Sequence, residues 1–169
     1  MIIIGYQGIG KSTLSKMTNN CIDLESGNFW VDGKRSDDWY KVYCNIAEHL
    51  SQQGYIVFTS SHEVVRKQLE NSNELVCVAY PHIDLKDIWI KKLKIRYEDT
   101  GLDKDYKAYM NAVDRYEENI KELSETPFKK IVIQRMNYNL GNEICEALKQ
   151  PGFIARCCKT LSAKGETNE

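Results

Sequence analysis

The segment that narrows the choice of folds most is glycine-rich and begins at residue 5, directly after three isoleucines. Residues 5–12 read G-Y-Q-G-I-G-K-S, which satisfies the Walker A pattern G-x-x-x-x-G-K-[ST]. A helical pattern follows, so the motif has the strand-to-helix context that it needs. We therefore expect backbone N–H groups at a helix N-terminus to form a phosphate cradle. The glycine spacing does not fit a Rossmann dinucleotide fingerprint.

The Walker A pattern at residues 5–13 predicts the roles of three side chains. Lys11 is expected to reach the β- and γ-phosphates of ATP and to act in catalysis. Ser12 is expected to bind Mg²⁺, and Thr13 to contact the α-phosphate. ATP and Mg²⁺ are therefore the predicted cofactors. The remaining predicted cofactor-binding residues are Gly5, Gln7, Gly8, Ile9 and Gly10.

Short β-branched runs alternate with longer helical patterns along the chain, which is typical of βαβ units and a parallel sheet. The predicted fold class is therefore α/β. Five runs are short enough for strands buried on both faces: residues 2–4, 21–24, 55–59, 75–79 and 130–134. Six helices are predicted between and after them: residues 11–18, 37–51, 62–71, 85–97, 103–123 and 143–150.

Composition excludes several classes of protein. With 169 residues the chain fits a single domain. Its 23 basic and 24 acidic residues nearly balance, so a long nucleic acid is not an expected partner. No apolar run approaches the roughly 20 residues of a membrane span. We expect a cytoplasmic protein whose six cysteines are reduced and pack as small hydrophobes.

The class of P-loop protein follows from what accompanies the motif. No N-K-x-D motif is present, which disfavours a regulatory GTPase. The chain instead resembles the nucleoside and nucleotide kinases of bacteria and their phages over residues 1–150. That resemblance implies a three-layer P-loop NTPase fold with a five-stranded parallel sheet in the order 2-3-1-4-5. It also implies an acceptor-binding segment at about 26–52 and a lid at about 86–124; residues 151–169 form a tail expected to be partly disordered.

The activity implied is an ATP- and Mg²⁺-dependent transfer of phosphate to a nucleoside, a nucleoside monophosphate or a similar small molecule, by a monomer or homodimer. The third predicted strand ends without the acidic residue usual in this family, since Phe58 is followed by Thr59, Ser60 and Ser61. Two alternatives stay open, and the missing acidic residue is the best support for the first of them. One is an ATP-binding module without catalysis, and the other is a slow nucleotide hydrolase.

Asp23 and Glu25 are the natural replacements for the missing acidic residue. Residues two apart on a strand share one face, and this strand ends where the phosphate loop is expected to open. Asp23 is therefore a candidate catalytic residue and, with Ser12, a candidate metal ligand. Glu25 is a candidate acceptor ligand. The alternative is that both carboxylates accept hydrogen bonds in a turn.

The predicted acceptor segment combines aromatic and cationic residues. Phe29 or Trp30 would stack on a base, while Lys34 or Arg35 would meet a charged group; alternatively, the aromatic rings only close the edge of the core. Beyond the third strand, the resemblance implies that Arg66 holds the phosphate of the acceptor. His62 is a weaker candidate, and a capping or surface role is the favoured reading for it.

The predicted lid contains a helix on which Ile90, Leu93 and Tyr97 form an apolar stripe, while Lys92 and Arg96 share another face. Arg96 is a candidate catalytic residue, and Arg115 on the next helix is expected to join it when the lid closes. A solvated basic face is the alternative. The next helix is predicted to face the core along one stripe: Tyr106, Met110, Val113, Tyr116, Ile120 and Leu123.

Overall fold

A computed structural model describes residues 1–30 and 32–149. The predicted tail at 151–169 lies outside the described residues. Five strands form one sheet in the order β2-β3-β1-β4-β5, and every neighbouring pair is parallel. The strand bounds are β1 Ile2–Gly5, β2 Cys21–Asp23, β3 Ile56–Thr59, β4 Val76–Pro81 and β5 Lys129–Ile133. The predicted strands and their order are confirmed, with bounds within two residues.

The three central strands are buried along their whole length, which explains why their sequences are continuous apolar runs without alternation. In register, Ile3 of β1 lies beside Phe58 of β3 and Cys77 of β4. Because all strands are parallel, the residues that follow β1, β2, β3 and β4 emerge at one edge of the sheet. This carboxyl edge carries most of the residues that the sequence singles out.

Helices flank the sheet and connect its strands. Their bounds are α1 Lys11–Met17, α2 Trp39–Gln52, α3 Glu63–Leu69, α4 Lys86–Thr100, α5 Asp103–Glu125 and α6 Leu140–Leu148. Short 3-10 turns cover Ser26–Phe29 and Ile83–Leu85. In space, α1 packs against α6, α2 against α3, and α4 against α5.

The apolar stripe predicted for α5 is only half right. Tyr116, Ile120 and Leu123 are buried, but Tyr106 and Val113 are exposed. The reason is a kink at Arg115, whose φ of −135° and ψ of 22° are not helical. A kink rotates one half of a helix relative to the other, so a constant period of 3.6 residues does not describe both halves.

Within residues 1–30 and 32–149, no helix is both long enough and apolar enough to cross a membrane.

Candidate functional site

The Walker A segment forms the turn from β1 into α1. Gly5 is the last residue of β1 and Lys11 the first of α1. Gly8 and Gly10 have φ values of 80° and 94°, a region that other residues enter only with strain. A Cβ atom on Gly5 would lie 2.6 Å from Cδ of Lys11. The loop therefore requires its glycines, and such a backbone turns successive N–H groups inward as an anion nest.

The ammonium group of Lys11 is turned inward beneath this loop. Its Nζ donates hydrogen bonds to the carbonyl oxygens of Gly5 at 2.8 Å and Tyr6 at 3.3 Å. Burial lowers the pKa of Lys11, the negative charges of Asp23 and Glu25 raise it in part, and the charge of Arg96 lowers it further. Asp23, Glu25 and Arg96 are therefore the charged groups whose fields act on this ammonium group.

Asp23 is the last residue of β2, and its Oδ2 accepts a hydrogen bond of 2.5 Å from Oγ of Ser12. Glu25 lies two residues further on and forms an ion pair of 3.5 Å with Lys104 at the start of α5. Thr13 is exposed on the first turn of α1. Hydroxyl and carboxylate oxygens are the hard ligands that Mg²⁺ prefers.

A metal at this position would depend on further oxygen ligands. In the part of the chain that the structure describes, no three His, Cys, Asp or Glu side chains group closely enough to hold an ion. Mg²⁺ commonly uses one or two protein oxygens and completes its shell with water and substrate phosphates. The Ser12 and Asp23 pair fits that mode.

Two residues of the Walker A segment use their side chains to anchor the loop. Ile9 is fully buried. Nε2 of Gln7 donates hydrogen bonds to the carbonyl oxygen of Ala108 at 2.7 Å and to Oδ1 of Asn111 at 3.3 Å, both on α5. A ligand in the loop would therefore meet these two residues through their backbone rather than through their side chains.

Helix α4 packs directly on the outside of the loop. Nε1 of Trp89 donates a hydrogen bond of 3.0 Å to the carbonyl oxygen of Gln7, and the hydroxyl of Tyr138 donates one of 3.4 Å to that of Gly8. The Trp89 and Tyr138 rings stack with centroids 6.0 Å apart. Leu93 lies so near that a Cβ atom on Gly8 would be 2.9 Å from its Cδ2.

Sequence reasoning assigned no role to Trp89. It was not distinguishable from other apolar residues of α4, because its hydrogen bond joins residues 82 positions apart. Tyr138 lies in the segment after β5, and nothing in its local sequence indicates a contact with the loop.

Lys92 and Arg96 do not act as a matched pair. Nζ of Lys92 lies 4.3 Å from the ring centroid of Trp89 and donates to the hydroxyl of Tyr138 at 3.2 Å. Burial lowers the pKa of Lys92 to about 8, and the charge of Arg96 contributes to that shift. Arg96 instead forms an ion pair of 2.5 Å with Asp105, a buried residue that the sequence analysis did not identify.

An aromatic groove of about 450 Å³ lies beside the turn after β2, where acceptor binding is predicted. Phe29, Lys34 and Arg35 line it, together with Trp39, which sequence reasoning missed. The guanidinium group of Arg35 lies 4.3 Å from the ring centroid of Trp39 and 5.0 Å from that of Trp30. Trp30 is 53% exposed, so it does not close the core.

Arg66 and Arg115 share one carboxylate. Nη2 of Arg66 lies 2.6 Å from Oε2 of Glu122, and Nη2 of Arg115 lies 3.4 Å from Oε1 of the same residue. Arg115 also pairs with Glu118 at 2.8 Å and is exposed, so it lies apart from the charged group around Lys11. The predicted meeting of Arg115 with Arg96 is therefore not a feature of this structure.

His62 connects Arg66 to the aromatic groove. Its ring stands edge-on to Trp39 with centroids 5.6 Å apart, and the residue is exposed. Partial desolvation lowers the pKa of His62, as do the positive charges of Arg35 and Arg66. Both guanidinium groups therefore lie near this imidazole, at the end of β3.

Comparison of the chain with protein-family models, with curated proteins and with solved structures gives no match.

Proposed function

We propose that this chain is an ATP- and Mg²⁺-dependent phosphotransferase with a P-loop NTPase fold, acting on a nucleoside, a nucleoside monophosphate or a similar small acceptor in the cytoplasm. The proposal rests on two features that lie at the carboxyl edge of the sheet. One is the Walker A segment with its positive-φ glycines and inward Lys11. The other is an aromatic and cationic groove beside the end of β2.

The Walker A segment would hold the triphosphate through backbone N–H groups, with Lys11 as the neutralising cation. Among the described residues Lys11 donates to two carbonyl oxygens of its own loop, and its ammonium group can exchange those bonds for phosphate oxygens. Ser12 and Asp23 would hold Mg²⁺, which supplies charge neutralisation at the transferring phosphoryl group when it is bound. Holding these groups in line is most of what the protein must do in this chemistry.

Charge on the acceptor side favours an acceptor that already carries phosphate. The guanidinium group of Arg35 stands over Trp39 there and Arg66 pairs with Glu122 nearby, whereas Asp23 bonds to Ser12 and Glu25 to Lys104. A hydroxyl acceptor needs a nearby base to take its proton, but a phosphate oxygen is already ionised at neutral pH. Aromatic rings at the groove suit the stacking of a base.

The two hydroxyl groups at the end of β3 support the same location for the acceptor. Oγ1 of Thr59 and Oγ of Ser60 are buried and have no hydrogen-bond partner within the residues that the structure describes. Buried polar atoms normally find partners, so a bound polar molecule is a reasonable occupant of the adjoining space.

The direct test is to incubate the full chain with ATP, Mg²⁺ and a panel of nucleosides and (deoxy)nucleoside monophosphates, and to quantify ADP and phosphorylated acceptor. We expect ADP release that depends on a monophosphate. ATP binding without ADP release across the panel would favour the non-catalytic binding module, which the absence of an acidic residue after β3 supports. Phosphate release without any acceptor would favour a hydrolase.

A further inference from the structure

We propose that Asp105 is a positioning residue that holds Arg96 against the terminal phosphate of a nucleoside triphosphate, so that this pair distinguishes a triphosphate from a diphosphate. The inference rests on the proposed function, because it needs a nucleotide in the Walker A segment. What it adds to that function is a residue, Asp105, that orients Arg96.

The face of α4 that touches the Walker A segment leads to Arg96. Trp89 bonds to the backbone of Gln7, and Leu93 packs on Gly8. Arg96 follows at the next helical step, since residues i, i+4 and i+7 lie on one face. Arg96 therefore continues the row of α4 residues whose earlier members, Trp89 and Leu93, contact the loop.

The start of α5 borders the same mouth. Lys104 pairs with Glu25, two residues after the end of β2. Asp105 is the next residue and points inward, with its side chain only 5% exposed. The Arg96 and Asp105 pair thus lies between the loop-covering face of α4 and the carboxyl end of β2.

Asp105 is held more firmly than an ordinary surface carboxylate. Its Oδ1 lies 2.5 Å from Nη2 of Arg96, and its Oδ2 accepts a hydrogen bond of 2.7 Å from Oγ1 of Thr100. Both oxygens therefore have partners on α4. A buried carboxylate with both oxygens engaged fixes the orientation of the guanidinium group that it binds.

Arg96 keeps donor capacity for a ligand. Its Nη2 pairs with Asp105, its side chain is 40% exposed, and its buried Nε has no partner among the described residues. Its charge also lowers the pKa of Lys11, so the two cations repel each other, and Asp23 and Glu25 offset that repulsion only in part. An anion between them would relieve that repulsion.

The terminal phosphate is the group that fits this space. In a Walker A segment the lysine reaches the β- and γ-phosphates from within the loop. A cation on the covering helix, outside the loop, meets the outermost phosphate of the chain. ADP lacks that phosphate, so loss of the Arg96 contact should weaken triphosphate binding while leaving ADP binding nearly unchanged.

The experiment is calorimetric titration of the full chain with ADP and, separately, with the non-hydrolysable β,γ-imido analogue of ATP, both with Mg²⁺. The measured quantity is the ratio of the two dissociation constants. In Asp105→Asn we expect this ratio to shift against the triphosphate by roughly tenfold or more, the size of a lost charge-assisted contact, with ADP affinity within about twofold of wild type. Arg96→Ala should give the same shift.

Asp103→Asn is the matched control, because it removes the same charge from the first turn of α5. Asp103 pairs with Lys107 at 2.6 Å, and both side chains are largely exposed. This variant should keep the wild-type ratio. Thr100→Val tests the positioning step a second way, since it removes one support of Asp105 without changing any charge, and it should shift the ratio in the same direction by a few fold.

The variants separate the role of Asp105 from the contact of Arg96 with the terminal phosphate. An unchanged ratio in Arg96→Ala would overturn the subsite. A normal ratio in a folded Asp105→Asn, or in Thr100→Val should Asp105→Asn not fold, would overturn the positioning role while leaving the contact of Arg96 intact. If wild type binds neither nucleotide, the proposed function itself fails, and that result is distinct from a failure of the subsite alone.

Discussion

The packing of α4 on the Walker A segment can be tested by measuring the free energy of unfolding alone. Three glycines with similar positive φ values but different surroundings make this possible. Gly8, Gly10 and Gly54 have φ values of 80°, 94° and 90°. A Cβ atom would meet nothing within 4 Å at Gly10 or Gly54, but at Gly8 it would lie 2.9 Å from Cδ2 of Leu93 and 3.3 Å from Nε1 of Trp89. Substitution by alanine therefore separates backbone strain from steric conflict.

For Gly10→Ala and Gly54→Ala, only the left-handed backbone should matter. Its cost is about 1–2 kcal/mol, and the reduced freedom of the unfolded chain offsets about 0.4–1 kcal/mol of it. We expect a net loss of about 1 kcal/mol in the free energy of unfolding for each. Gly8→Ala should lose a further 1–3 kcal/mol, approximately the cost of overpacking, because Leu93 has to move.

The assay is equilibrium unfolding in urea, followed by circular dichroism, for wild type and the three variants. Gly54 lies between α2 and β3, away from the Walker A segment, and serves as the control for backbone strain. Equal losses in Gly8→Ala and Gly10→Ala would mean that α4 does not press on the loop, which contradicts the packing of Leu93 on Gly8.

Three further predictions concern the residues around the loop. Lys11→Ala should slow phosphoryl transfer on the order of 10²-fold or more, because it removes a preorganised cation, and initial rates of ADP formation measure this. Trp89→Phe should lower the free energy of unfolding by about 1–3 kcal/mol, because the carbonyl oxygen of Gln7 loses its donor, and thermal unfolding measures this. Lys92→Met should have a higher free energy of unfolding than wild type near pH 7. This difference should shrink by roughly 1 kcal/mol as the pH rises past 8, after allowance for screening of the exposed part of Lys92, and urea unfolding at several pH values measures it.

The sign of the pH effect follows from the direction of the shift. The folded protein releases the Lys92 proton at about pH 8, whereas an unfolded lysine keeps its proton to about pH 10.5. Wild type therefore gains stability between those values, and a methionine at this position does not. Lys91→Met, at the exposed neighbouring residue, is the control. A constant difference in stability between Lys92→Met and wild type across this range would contradict the prediction for Lys92. Wild-type stability in Trp89→Phe would contradict the prediction for Trp89, and a wild-type rate of transfer in Lys11→Ala would contradict the prediction for Lys11.

The fold could be predicted because its strands are buried on both faces and therefore stand out as short β-branched runs. The isoleucines before Gly5 are fully buried, and β3 and β4 are equally continuous. The order of the strands came from the resemblance and not from the periodicity. The stripe predicted for α5 is half wrong because a constant helical period contains no signal for the kink at Arg115.

The candidate site could be predicted where its residues follow strand ends, and not where they depend on packing between helices. Asp23 and Lys11 are examples of the first kind, since each follows directly from the end of a strand or from a motif. Asp105 and Trp39 are examples of the second. Asp105 reads as an ordinary first-turn aspartate of a helix, and only its burial against Arg96 sets it apart.

The most direct test of the account is calorimetric titration of the full chain with ATP in the presence and absence of Mg²⁺, with Ser12→Ala measured alongside. We expect ATP to bind saturably at one site and more tightly with Mg²⁺ than without it. In Ser12→Ala the metal-dependent part of the affinity should be lost, because Ser12 and Asp23 supply the protein oxygens for Mg²⁺. If no purine triphosphate binds, or if Ser12→Ala retains the full effect of Mg²⁺, the assignment of this site to a magnesium-bound triphosphate is wrong.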